Sequence, residues 1–285
     1  MPPKATPSSK STIKQQSSLT QLITLLKTQQ FYWFLGHVFA LLFSILSTLT
    51  GLIFKNQLSL KYFRFALISN IITYGIVIKQ IHFKSSTTSS NVSRIKLIND
   101  ENIQYLVLAL VFLLSSYILK TQNQSALYPY VIFGVFHVVT YFQNHLITIF
   151  IPSIPAQQHL NSLINNFTSQ LNQPALYAAS SVELVLALTT GFDVVISSFW
   201  LILRWNFFDY ITKVIVFLTV IIFNKFKFDH SQYTKASVLQ MDQTWNGYVN
   251  RLNNPKLTQL FFNFRDLVIR YLGLINIPKD VKTTQ

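Results

Sequence analysis

The stretch "FYWFLGHVFALLFSILSTLTGLI" (31–53) runs 23 residues without Asp, Glu, Lys or Arg. As a helix it would be roughly 35 Å long, enough to cross the hydrocarbon core of a bilayer. Tyr32 and Trp33 sit where an interfacial aromatic belt would be. Three further apolar segments follow, at 62–81, 103–119 and 127–151. Arg64 and Lys79 lie near the ends of the second, where long side chains can snorkel to headgroups. Pro129 falls in the first turn of the fourth, where proline is tolerated. The short connection between the third and fourth predicts an antiparallel hairpin.

Composition agrees. Only 11% of the 285 residues are charged, against about 25% in an ordinary soluble domain. With 7 Gly and no Cys, Gly-rich phosphate loops, thiol nucleophiles and Cys-based zinc sites drop out. The formal charge is +14, and its Lys and Arg are dispersed rather than clustered, which favours membrane headgroups over nucleic acid as the partner. The N-terminus lacks the short apolar core and cleavage site of a signal peptide. Residues 1–17 read as a disordered basic tail.

Beyond Pro152 and Pro155 the pattern changes. Residues 157–172 place Leu160, Leu163, Ile164, Phe167 and Leu171 on one face and predict an interfacial helix. Residues 175–203 and 205–223 are long enough to span, yet carry Glu183, Asp193, Asp209 and Lys213. Each would be costly inside a membrane. A second embedded hairpin over 175–223 is expected, with Asp209 and Lys213 paired at i,i+4. Four Lys or Arg precede the first span, four lie in 79–96 and nine run from Lys225 to the end, against five on the opposite side. With four or six spans, both termini are therefore expected in the cytosol.

The segments "YWFLGHVFALLFSILSTL" (32–49), "RFALISNIITYGIVIKQI" (64–81), "DENIQYLVLALVFLLSS" (100–116) and "YPYVIFGVFHVVTYFQ" (128–143), in this order and spacing, resemble the transmembrane protein 33 family. The resemblance implies a non-enzymatic protein of the endoplasmic reticulum and nuclear envelope. It further implies roles in tubule and sheet shape and in nuclear pore distribution or biogenesis. Reticulon-type shaping proteins, nuclear pore components and import receptors would be the partners, beside the lipid bilayer and its anionic lipids.

Residue by residue, little chemistry competes with that. No catalytic, cofactor or metal site is expected: there is no H-E-x-x-H, nucleophile elbow or Walker motif, and no His pair is spaced i,i+4. His37 and His137 read as packing histidines that hydrogen-bond a neighbour. Glu183, Asp193, Asp209 and Lys213 are the residues on which an alternative, a small solute or ion transporter or channel, would depend. Glu183 and Asp193, ten residues apart, fall about 80° apart around a helix and do not form a paired-carboxylate site by spacing.

The C-terminal region, 224–285, reads as a cytosolic tail with amphipathic helices at 238–252 and 256–272. In the second, Leu257, Leu260, Phe261, Phe264 and Val268 share one face, and Lys256 and Arg270 lie opposite. Arg265 stands at the edge, its guanidinium within reach of phosphates. These eight residues are the expected membrane-surface contacts. The architecture predicted is an all-α, polytopic helical membrane protein. It has four to six membrane-embedded helices within a membrane domain at 18–223, plus interfacial amphipathic helices.

Overall fold

A computed structural model of the chain describes residues 18–83 and 94–275. The basic tail expected at 1–17 lies outside the described residues, as do 84–93 and 276–285. Every regular element among the described residues is helical. They are α1 (Ser18–Leu26), α2 (Gln29–Leu52), α3 (Asn56–Ile78), α4 (Arg94–Asn99), α5 (Glu101–Leu119), α6 (Tyr128–Tyr141), α7 (Ile147–Phe150), α8 (Ile154–Arg204), α9 (Phe207–His230), α10 (Gln232–Arg251) and α11 (Pro255–Leu274). A π-helical turn extends α3 to Phe83, and another, Phe142–Leu146, joins α6 to α7. Six helical stretches are long and apolar enough to cross a membrane: Gln29–Leu52, Asn56–Phe83, Glu101–Leu119, Gln124–Phe150, Ile154–Arg204 and Phe207–His230. The chain is an all-α polytopic membrane protein.

The helix ends are set by side chains. Thr28, Asp100, Asn206, Ser231 and Asn254 each accept a backbone N–H at the start of a helix, satisfying donors that a helix leaves open. Asp100 also receives His82 Nε2 at 2.7 Å through its second oxygen, so it ties the end of the α3 extension to the start of α5. Left-handed residues Phe54, Lys120, Trp205 and Asn253 turn the chain after α2, α5, α8 and α10.

Helix α2 is largely polar on its buried side and apolar on its exposed side. The buried residues of α2 are His37, Ala40, Ser44, Ser47 and Thr50, while Phe39, Leu42, Ile45 and Leu49 on its other side are exposed. In water this arrangement would be unfavourable; in lipid it is what close helix packing requires. Ser47 and Ser59 donate to each other's carbonyls at 2.9 and 2.6 Å, zipping α2 to α3. Gly36 permits the same closeness about three turns away along α2: a Cβ there would stand 2.2 Å from Thr73 Oγ1. Gln122 and Gln124, from the turn after α5, donate to Ser59 Oγ and Ser47 Oγ at 2.5 and 2.8 Å. A second cluster, with Phe63, Leu67, Leu108, Tyr130, Leu186 and Val220 at its heart, joins α3, α5, α6, α8 and α9.

The region 154–204 differs from the sequence expectation. No break separates an interfacial helix at 157–172 from an embedded segment at 175–203. Instead α8 runs 51 residues through Pro174, roughly 76 Å at 1.5 Å per residue. Proline removes one backbone donor and need not end a helix. The first part of α8 does not lie alone: Ile164 is buried, Phe167 meets the Phe136 ring at 5.9 Å, and Gln143 Nε2 donates to Asn165 Oδ1 at 2.8 Å. Part of the face read as lipid-directed is thus covered by α6 and the turn after it. Leu163 and Leu171 remain exposed.

Candidate functional site

Two places gather the residues singled out in the sequence. The first is α11. Asn254 caps its start and Pro255 occupies the first turn, where the missing N–H costs nothing. Its side chains divide into two rows. Thr258, Phe261, Arg265, Val268 and Leu272 are partly covered. On this side Arg265 Nε and Nη2 donate to Asp242 Oδ1 and Oδ2 of α10 at 2.7 and 2.9 Å. Leu257, Leu260, Phe264, Leu267 and Tyr271 form the second row and are exposed, as are Lys256 and Arg270. Bidentate bonding from Arg265 holds the Asp242 carboxyl below the usual carboxylate range.

The eight expected surface residues therefore separate. Leu257, Leu260 and Phe264 present a continuous apolar strip, and Lys256 and Arg270 occupy exposed positions beside it. Phe261 and Val268 share a side with Arg265, which is engaged with Asp242 rather than held out for phosphate. Sequence periodicity merged the two rows because both are apolar; the separating signal is the acid on α10, 23 positions away.

The second place is Glu183, which is fully buried. Tyr105 Oη donates to Glu183 Oε1, while Oε2 has no hydrogen-bond partner. Tyr130 Oη donates to the Tyr105 carbonyl at 2.8 Å, and Asn224 Nδ2 donates to the Glu183 carbonyl at 3.2 Å. Lys227 Nζ bonds Glu101 Oε2 at 2.9 Å and lies 4.9 Å from the Tyr105 ring centre. Glu183 is thereby the meeting point of α5, α6, α8 and α9. Tyr105, Glu101 and Lys227 were not singled out in the sequence, since their partners lie 78 and 126 positions away.

The other intramembrane candidates do not join it. Lys213 Nζ donates to Ser197 Oγ at 2.6 Å. The expected Asp209–Lys213 pair is not formed: Asp209 sits in the first turn of α9 and accepts from Asn206 Nδ2 at 2.5 Å. The N-terminal end of a helix already stabilises an acid, so Asp209 needs no lysine. Asp193 and Lys213 line a cavity of about 210 Å³, and Glu183 lines a different one of about 400 Å³. Among the described residues no group of three or more His, Asp or Glu converges as a metal site would require. His37 and His137 pack on one another at 4.7 Å between ring centres. His37 Nδ1 is buried without a hydrogen-bond partner, contrary to the hydrogen-bonded histidine expected.

Comparison with known proteins adds to this geometry. The family model described as transmembrane protein 33/nucleoporin POM33 matches residues 11–272. The pore and endoplasmic reticulum protein of 33 kDa from Saccharomyces cerevisiae is 31% identical over 86% of this chain and 90% of its own length. Tetra-spanning protein 1 from Schizosaccharomyces pombe is 28% identical over 78% of each chain. Nucleoporin POM33 from Chaetomium thermophilum is 40% identical over 46% of this chain and 45% of its own. No solved structure matches.

Proposed function

The chain belongs to the transmembrane protein 33/nucleoporin POM33 family, and from that premise we propose that it is a non-enzymatic membrane protein of the endoplasmic reticulum and nuclear envelope. Its work is to shape or sense membrane curvature, supporting nuclear pore distribution or biogenesis and the organisation of the reticulum. Relatives named as pore, reticulum and nucleoporin proteins support the location. The observation that carries the curvature reading is the exposed strip Leu257, Leu260 and Phe264 on α11, flanked by Lys256 and Arg270. Such a helix lies in the headgroup plane, and its apolar side chains fill packing defects that bent leaflets expose. Lys256 and Arg270 would attract anionic lipids. Arg265, bonded to Asp242, would set the angle of α11 instead.

The tail is cytosolic in this reading, which the lysine and arginine count supports. One relative's name counts four spans, whereas the described residues of this chain hold six candidates; either even number leaves both termini on one side. Reticulon-type proteins, nuclear pore components and import receptors are the partners proposed for that face. Transport finds less support, because Glu183, Asp193 and Asp209 occupy three separate environments.

The test is curvature sorting. Full-length protein is reconstituted into giant vesicles containing anionic lipid, and thin tubes are drawn from them. The parent should enrich on the tube relative to a lipid dye. Substituting Leu257, Leu260 and Phe264 together with Asp should bring the ratio to that of the dye. Equal enrichment of parent and variant would remove α11 as the curvature element.

A further inference from the structure

The α8–α9 hairpin carries one acid and one base that share a cavity without pairing. Asp193 of α8 and Lys213 of α9 both line a space of about 210 Å³ at the end of α5 remote from Glu101. Lys213 Nζ donates to Ser197 Oγ at 2.6 Å, and Ser197 Oγ donates to the Asp193 carbonyl at 2.6 Å. Ser197 thus anchors the ammonium beside residue 193 but not on its carboxylate. Among the described residues the Asp193 carboxylate has no hydrogen-bond or ion-pair partner. Asp193 is nonetheless exposed, next to exposed Phe192, Val195 and Ile196. An ionised carboxylate on a lipid-facing surface is costly unless something pairs with it.

The walls select the partner. The two charges cancel, so a ligand with one charge alone would leave the other unpaired. Ser115 and Thr190 donate their hydroxyl protons to the Phe112 and Leu186 carbonyls, so towards the cavity they only accept, as does Asp193. That side suits a primary ammonium, which has three N–H groups to give. A quaternary ammonium has none and is held instead by aromatic cages; the aromatic walls here, Phe63 and Phe112, are 1% and 3% exposed and belong to the core. Lys213 keeps two N–H groups for an anion, and Gln122 and Asn123, which give one amide N–H each to Ser59 and Thr189, keep one apiece. The volume is below that of most whole-ligand sites, so a headgroup enters while its chains stay outside, along the exposed apolar residues of α8. We propose that this cavity binds the zwitterionic head of an ethanolamine phospholipid, its ammonium on Asp193 and its phosphate on Lys213.

The test uses full-length protein in phosphatidylcholine nanodiscs and three lipids with a photoactivatable acyl chain: phosphatidylethanolamine, phosphatidylcholine and phosphatidylglycerol. Saturable labelling of α8 or α9 by the ethanolamine lipid is expected, about tenfold above the other two at equal dose, the worth of one charge-assisted hydrogen bond. Asp193→Asn should abolish the preference over phosphatidylglycerol, because the ammonium loses its partner while the phosphate keeps Lys213. Lys213→Gln should weaken labelling by the ethanolamine lipid about tenfold, and serves if Asp193→Asn does not fold. Soluble glycerophosphoethanolamine separates the sources: displacement of the probe means that the head alone is recognised, and no displacement means that the lipid is the ligand. The proposal is overturned if either comparator labels as well as the ethanolamine lipid, so that the two side chains are merely hydrated. It is equally overturned if the folded variants label like the parent.

Discussion

At the scale of single residues, the bundle depends on contacts that leave no room for extra atoms or missing partners. Gly36 against Thr73 is the tightest, with 2.2 Å between an added Cβ and Thr73 Oγ1. Gly36→Ala should cost on the order of 1–3 kcal/mol, the range for overpacking, read as a lower unfolding midpoint in detergent. Thr73→Ala in the same chain should restore most of the loss, since it removes the atom in the way; a double variant no better than the single one would place the strain elsewhere. Tyr105→Phe removes the hydroxyl that serves Glu183 Oε1. With Oε2 already unpartnered, a fully buried carboxyl would lose its one side-chain donor. A loss of about 1–3 kcal/mol is expected, and Glu183→Gln, which keeps an acceptor for Tyr105, should be milder. Sequence reading found Glu183 by its cost in a membrane but could not find Tyr105, because pairing at that distance leaves no local pattern.

At the scale of elements, legibility depended on whether the cause was local. Apolar length revealed the first four spans, because helix length is written in neighbouring residues. The continuity of α8 through Pro174 was missed: proline usually signals a boundary, and the packing of Ile164 and Phe167 that overrides it comes from α6. The α10–α11 hairpin was half legible, its helices read from periodicity and its clasp not. That clasp should respond to acid. Asp242 has its carboxyl lowered by Arg265, so the folded hairpin prefers the ionised form more than the unfolded chain does. Its contribution is fully present above the ordinary carboxylate range, near pH 4, and fades as pH falls through the lower folded value. Amide protection in α11 should therefore hold from neutrality to about pH 4 and drop below it. Asp242→Asn should loosen α11 already at neutral pH and flatten this dependence. Hydrogen exchange with mass spectrometry reads both; protection in α11 identical in parent and variant across the range would show that the clasp does not hold it.

At the scale of the whole molecule, the choice between four and six crossings turns on where α8 and α9 touch α5. Glu101, the first residue of α5, bonds Lys227 near the end of α9. Just past the other end of α5, Asn123 Nδ2 donates to Thr189 Oγ1 of α8 at 3.2 Å. The 19 residues of α5 between these contacts measure roughly 28 Å, about the depth of a bilayer core. A hairpin held at both ends of a spanning helix must itself run the full depth. Its inward side buries Glu183, Leu186, Val220 and Asn224, while Phe199, Ile202, Ile215 and Leu218 are exposed outward, as a lipid-facing surface would be. Six helices among the described residues are long and apolar enough to cross; with six crossings, residues 152 and 230 would lie on the side of the termini and 203 opposite. Glycosylation or protease reporters inserted after these three positions should read cytosolic, lumenal and cytosolic in that order. A cytosolic reporter after 203 would mean that α8 and α9 enter and leave by one face. The contact between Asn123 and Thr189 would then be incompatible with the native topology.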